Sequence, residues 1–245
     1  MIIDTHVHIG IGERLHDTYQ IECTTDKIIS VMNEAGVDKS CIMPVAYEDY
    51  EPGIQEVREA VTAYPDRLIG YARVNLNNPD RAFEQVRRCF EQYNFRAVKL
   101  LGGGFPTRPF MEMLSEYGRP LLLHGTAQAE FIDAVSRLAR AYPKVPVICA
   151  HMGGFGDNVY WPGFVKLYAV EAKQIPNLYL DTAFVLLHQW IGIAVEICGP
   201  GKVLFGSDAP ILHPAVVLKQ IELCHFSDSE RTMILETNAR RLLGV

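Results

Sequence analysis

The sequence predicts a single-domain α/β protein folded as a closed (β/α)8 TIM barrel. Three observations lead there. Eight short apolar segments alternate with eight longer helical ones along the chain. The apolar segments are nearly continuous, as in VLF within Lys202–Gly206, which suits strands buried on both faces of a parallel sheet. The chain has 245 residues, close to the roughly 250 that eight such units occupy.

The expected strands are Met1–His8, Ser40–Val45, Leu68–Asn75, Arg96–Leu101, Pro120–His124, Val145–His151, Asn177–Asp181 and Lys202–Asp208. Each is rich in β-branched or aliphatic residues and flanked by Gly, Pro or Asn. The expected helices carry ordinary start and stop signals. Thr25–Ala35 has Thr25 as its cap and Gly36 as its stop, and Gly53–Tyr64 ends before Pro65. Pro79–Tyr93 follows Asn78 as cap, and Arg108–Tyr117 ends at Gly118. Gln128–Tyr142, Trp161–Gln174, Leu187–Cys198 and Pro214–Cys224 complete the set. A last helix, Asp228–Leu243, is expected to cover the bottom or side of the domain. An open doubly wound sheet is the competing topology. It calls for a Gly-rich fingerprint after the first strand, where this chain has His-x-His. With no long linker or internal repeat, residues 1–245 are expected to form one domain.

Hydrophobic residues make up 49% and charged residues 21%, enough to build a core without disulfides. The net charge of −6 argues against a general nucleic-acid binder, which shows a basic footprint. Cys23, Cys41, Cys89, Cys149, Cys198 and Cys224 are widely spaced with no CxxC pair, as expected of free thiols in a reducing compartment. The opening MIIDTHVHIG lacks the features of a signal peptide, and no run of about 18 apolar residues occurs. A cytoplasmic protein is expected. Its expected partner is a small molecule, with a carboxylate among the candidates. Homo-oligomerisation is allowed, and neither nucleic acid nor membrane is expected.

The strongest local signal is Asp4-Thr5-His6-Val7-His8. Strand side chains alternate with period two, so His6 and His8 point the same way. Two strand histidines with ordinary hydrogen bonds would give the same pattern. Position sharpens the reading, because two further strands finish in His124 and His151 and the last in Asp208. Barrel active sites lie at the C-terminal ends of strands. In a closed barrel the first strand neighbours the eighth, which brings His6, His8 and Asp208 together. Four imidazoles and a carboxylate at one rim suit a borderline-soft ion such as Zn2+.

These residues, with the phrases IIDTHVHIG, AVKLLGGG, PLLLHG, ICAHMGG, VLFGSDAP and NARRLLGV, resemble the amidohydrolase superfamily. The likeness is to its amidohydrolase-related branch, the predicted TIM-barrel metal-dependent hydrolases, from Asp4 to Val245. The resemblance implies a mononuclear divalent metal site held by His6, His8, His124 and Asp208, with Zn2+ the expected ion. It also implies that Asp208 accepts a proton from a metal-activated water. His151 would act as acid/base or stabilise charge. The branch contains hydrolases, lactonases and non-oxidative decarboxylases.

Lys99 lies near the end of the fourth strand, where binuclear relatives carry a carboxylated lysine. An unmodified lysine that orients the site or binds a substrate carboxylate is expected here. Arg73, near the end of the third strand, is either a second anion contact or half of a surface ion pair. Weaker candidates are His16, the Gly102-Gly103-Gly104 loop, Asp181 as a cap or mouth residue, and Phe155, Tyr160 and Trp161 as a lid wall or core. His188, His213 and His225 read as structural. The leading functional expectation is metal-dependent hydrolysis of a small amide, lactone or ester through a metal-activated water. The alternatives are non-oxidative decarboxylation of an unsaturated or aromatic acid on the same site, and a barrel that binds without catalysis.

Overall fold

The computed structural model describes residues 1–10, 21–100, 105–154 and 162–245. His16, Gly102–Gly104, Phe155, Tyr160 and Trp161 lie outside the described residues. Eight parallel strands follow one another in sequence order. They are β1 (Ile3–Ile9), β2 (Lys39–Pro44), β3 (Leu68–Arg73), β4 (Ala97–Leu100), β5 (Leu121–Leu123), β6 (Val147–Cys149), β7 (Leu178–Asp181) and β8 (Val203–Leu204). Each is followed by the helix of the same number: α1 (Thr25–Ala35), α2 (Glu51–Ala63), α3 (Pro79–Glu91), α4 (Arg108–Tyr117), α5 (Ala129–Ala141), α6 (Pro162–Gln174), α7 (His188–Cys198) and α8 (Pro214–Leu223).

The ring closes between β1 and the chain beyond β8. Thr5 N donates to Phe205 O at 2.9 Å, Asp208 N to His6 O at 2.9 Å and His8 N to Ala209 O at 2.7 Å. The β1–β2 register shifts between Asp4 and Val7, yet the His6 and His8 rings still lie on one side, 5.2 Å apart.

Side-chain parity sorts the strands into two layers. Met43, Tyr71, Ala97, Leu122, Ile148 and Tyr179 meet in the interior of the ring. Residues of the other parity, such as Val98 and Leu123, pack outward against the helices. Phe110 and Leu114 of α4 are fully buried there, worth about 1.5–3 kcal/mol each. Alternation then puts a candidate site residue one layer above four of these six: Arg73 above Tyr71, Lys99 above Ala97, His124 above Leu122 and Asp181 above Tyr179.

Several boundaries differ from expectation for local reasons. β5, β6 and β8 end early, so His124, His151 and Asp208 follow their strands rather than finish them. After β6 the backbone turns through a short 3-10 segment in which His151 and Met152 adopt φ of 59° and 48°. Asp208 likewise sits at φ 68°. Left-handed geometry breaks the ladder and re-aims the side chain. Thr24, not Thr25, caps α1 by accepting from Lys27 N, while Gly36 ends it at φ 71°. Asn78 caps α3 as expected. The last helix is divided into α9 (Asp228–Thr232), a π-helical turn (Met233–Thr237) and α10 (Asn238–Leu243). Ala239 and Leu243 pack with Ile3 and Leu204, plugging the end of the barrel opposite the site. All six cysteines are free, and no helix among the described residues is long and apolar enough to cross a membrane.

The closure leaves no room at Gly206, where a Cβ would come within 2.9 Å of the His6 Cβ. Gly206→Ala is expected to lose about 1–3 kcal/mol by overpacking, read from urea unfolding. Gly163→Ala, whose Cβ meets nothing within 4 Å, should not be destabilising. Equal stability of Gly206→Ala and wild type would show that the seam is loose.

Candidate active site

The structure gathers His6, His8, His124, His151, Asp181, Asp208, Lys99 and Arg73 at the C-terminal end of the barrel. His6, His8 and Asp208 form one cluster whose ligand-type atoms lie within 4.8 Å of one another. Asp208 Oδ1 is 3.2 Å from His8 Nε2 and 3.3 Å from His6 Nε2. Beyond His6, the His151 ring lies 5.1 Å away, and the His124 ring 4.8 Å from His151. His124 is the more open member of the group, half-buried where His151 is fully buried.

Hydrogen bonds set the direction of each ring. The Ala183 carbonyl can only accept, so His151 carries its proton on Nδ1, 2.9 Å away. Its Nε2 then accepts from His124 Nδ1–H at 3.2 Å. His124 is left with Nε2 as its acceptor atom. His8 Nδ1 lies 3.4 Å from the Pro44 carbonyl, and Arg73 Nη1 donates to that same carbonyl at 2.8 Å. Arg73 is therefore no surface ion pair. It is 3% exposed, with its guanidinium 5.3 Å from the centre of the Tyr50 ring.

The electrostatics follow from burial. Burial pushes His6 well below its ordinary value, reinforced by Lys99, and lowers His8 and His124 as well. Burial brings His151 down to about 4. Burial thus favours the neutral form of each imidazole. Burial works to raise the Asp208 carboxyl, but the hydrogen bond from His8 and the neighbouring histidines hold it below the carboxylate range. Burial brings the Lys99 ammonium down to about 7.

The donor set fits a divalent ion. Neutral imidazoles and an ionised carboxylate are the ligand forms that Zn2+ and similar ions take. His6 Nε2 and Asp208 Oδ2 are buried with no hydrogen-bond partner among the described residues, an expensive state that an ion would relieve. Lys99 Nζ is likewise buried without such a partner.

By sequence alone Asp181 reads as a cap or mouth residue, and Asp4 and Ser207 carry no role. All three are fully buried. Asp181 contacts His6, His151 and Ala183 at once. Asp4 accepts Ser207 N at 3.0 Å, His6 N at 3.2 Å and the Ser207 hydroxyl. Ser207 Oγ in turn accepts Ala209 N at 3.0 Å. The strand-end rule that singled out the histidines applies equally to Asp181. The carboxylate two residues before His6 and the hydroxyl before Asp208 were the signals for the other pair.

Ser207→Ala removes the hydroxyl between Asp4 and Ala209 N. It is expected to cost about 1–3 kcal/mol, the penalty for a buried polar group left unpaired. Thermal unfolding checks this, and an unchanged midpoint would show that the Asp4–Ser207 contact contributes nothing.

The comparisons with known proteins agree with this architecture. Gamma-resorcylate decarboxylase of Rhizobium radiobacter is 23% identical, over 73% of this chain and 70% of that protein. Among solved structures, a 2,6-dihydroxybenzoate decarboxylase complexed with 2,6-dihydroxybenzoate superposes with a TM-score of 0.76 at 19% identity, covering 100% of this chain and 99% of that one. A dihydroxybenzoic acid decarboxylase from Polaromonas sp. JS666, with bound manganese and the inhibitor 2-nitroresorcinol, gives 0.76 at 18% identity over 99% and 96%. These structural likenesses establish the barrel. The Amidohydrolase family model (Amidohydro_2) matches residues 3–245, and the chain belongs to that amidohydrolase family.

Proposed function

We propose that this protein is a metal-dependent, non-oxidative decarboxylase of a small aromatic or unsaturated carboxylic acid. The observation that carries the reading is one buried site that pairs a His/Asp donor set with two basic side chains, Lys99 and Arg73. The donors suit a divalent ion, and the basic pair suits a carboxylate. The names of the relatives support the same reaction and reverse the order expected from sequence, in which hydrolysis came first. Hydrolysis of an amide, lactone or ester is the second reading. Asp208 Oδ2, which has no hydrogen-bond partner among the described residues, favours it as a proton acceptor for water.

In this reading His6, His8, His124 and Asp208 hold the ion. Zn2+ is expected from the donor types, and Mn2+ is the other ion to assay. When bound, the ion supplies a Lewis acid that draws charge from substrate oxygens. Lys99 and Arg73 bind and orient the carboxylate. Loss of carbon dioxide breaks a C–C bond and leaves its electron pair on the substrate carbon, which must gain a proton. Asp208, ionised in the resting site, first accepts a proton from water or a substrate hydroxyl. It passes that proton to the carbon as carbon dioxide departs. His151 stabilises the charge that develops beside it. Lys99 acts as an unmodified amine.

Purified protein is expected to contain about one equivalent of divalent ion at ordinary bond lengths of ~2.0–2.2 Å, and to lose activity on chelation. Carbon dioxide release, measured over a panel of hydroxylated benzoates that includes 2,6-dihydroxybenzoate, is the direct assay. Turnover of lactones or amides with no carbon dioxide from any acid would replace the reading with hydrolysis. Asp208→Asn should retain weakened metal binding while turnover falls about 10²-fold or more. His151→Asn should lower turnover with metal content nearly unchanged; loss of metal there would move His151 into the ligand set. Lys99→Met should raise KM about 10–100-fold, the scale of losing a hydrogen bond to a charged group, with a smaller effect on kcat. An unchanged KM would remove Lys99 from the carboxylate site.

A further inference from the structure

Asp181 contacts more of the site than any role as a helix cap requires. Its Oδ1 accepts two backbone N–H groups, His151 N at 2.7 Å and Ala183 N at 3.1 Å. Its Oδ2 lies 2.8 Å from His6 Nδ1. All of these groups are buried. His6, His151 and Asp181 also satisfy the distances of a three-ligand metal cluster. The Asp181 and His151 atoms of that group are already engaged in hydrogen bonds, however. Both Asp181 oxygens accept hydrogen bonds, and His151 Nδ1 is tied to the Ala183 carbonyl. This layer supports the site rather than forming a second ion site.

We propose that Asp181 is a positioning residue that fixes the tautomer of His6 and, through Ala183, the direction of His151. A carboxylate can only accept, so the Oδ2 contact keeps the His6 proton on Nδ1. The His6 Nε2 lone pair is thereby turned toward Asp208 Oδ1, 3.3 Å away. A metal-ligating histidine is commonly oriented in this way by a partner on its other nitrogen. The same carboxylate, through Ala183 N, holds the carbonyl that fixes His151, and His151 Nε2 in turn accepts a hydrogen bond from His124 Nδ1–H. One side chain thus sets the His6 tautomer directly and supports the backbone that orients His151. This role rests on the proposed ion site for its purpose, but the tautomer it imposes exists without any ion.

The asymmetry of the Asp181 contacts makes a sharp test. In Asp181→Asn the amide oxygen must stay on the Oδ1 side, because His151 N and Ala183 N are donors fixed in the backbone. The amide NH2 then faces His6 Nδ1, which must accept, and the His6 proton moves to Nε2. The substitution preserves size and shape. Nitrogen-15 NMR of metal-free protein, with His6 assigned by the signal lost in His6→Gln, should show protonated Nδ1 in wild type and protonated Nε2 in Asp181→Asn. Mn2+ titration should show affinity lowered about 10–100-fold in the variant, the scale for losing such an outer partner. Wild-type protein with its His6 proton on Nε2 overturns the proposal, whether or not the variant folds. So does an Asp181→Asn protein that keeps the Nδ1 proton. If wild type binds no ion yet the tautomer switches in the variant, the positioning role stands and the metal reading fails.

Discussion

Three backbone hydrogen bonds join β1 to the chain after β8, from Thr5 N, Asp208 N and His8 N, and the geometry of the site depends on them. They fix His6 and His8 on one edge of the seam and Asp208 on the other. Gly206 allows the close approach, and Asp208 completes it in left-handed backbone geometry at φ 68°. A strained non-glycine residue at a functional position persists only when its surroundings hold it there. Here the surroundings are the Asp4–Ser207 contact on one side and the His6 carbonyl on the other. The seam that closes the fold is therefore also the framework of the site.

Burial gives the site its charge pattern. Ionised groups in a protein interior are costly unless hydrogen-bonded or paired. Asp4 and Asp181 are each surrounded by hydrogen-bond donors. Even so, burial lifts Asp4 to about 7 and raises Asp181 above its ordinary value. Lys99 moves the other way, down to about 7, in the same surroundings. Burial favours the neutral form of the histidines, the form in which an imidazole can bind an ion. The Asp208 carboxylate is the exception, kept ionised by the imidazoles around it. The resting site is thus prepared for a cation at one point and an anion at another, which a metal and a carboxylate substrate would occupy together.

Hydrolysis and decarboxylation draw on the same components in this architecture. Both use a polarising ion, a carboxylate that moves a proton and basic groups that hold the substrate. The choice between them depends on where the substrate carbon sits relative to Asp208, and on what lies across the mouth. Those features belong to the loops after the strands, where barrel enzymes vary most.

The barrel and most of the candidate site were legible in the chain itself. Strand and helix alternation gave the eight units in order, because hydrophobic period and Gly, Pro and Asn punctuation are local properties. His6, His8, His124, His151 and Asp208 were recoverable from one rule, that strand ends meet at a common rim. Only tertiary structure decided what those residues do to one another. That Arg73 is buried against the Pro44 carbonyl, and that His124 reaches the group through His151, depends on side-chain directions across neighbouring strands. Asp181 lies 175 residues from His6 in sequence, and a terminal aspartate on an apolar strand reads locally as a cap. Its contacts with His6 and with the turn after β6 exist only once the ring has closed. Sequence determines which groups reach the rim through local periodicity. The fold decides which lone pair faces which proton, because that depends on distances of a few ångströms between segments far apart in the chain.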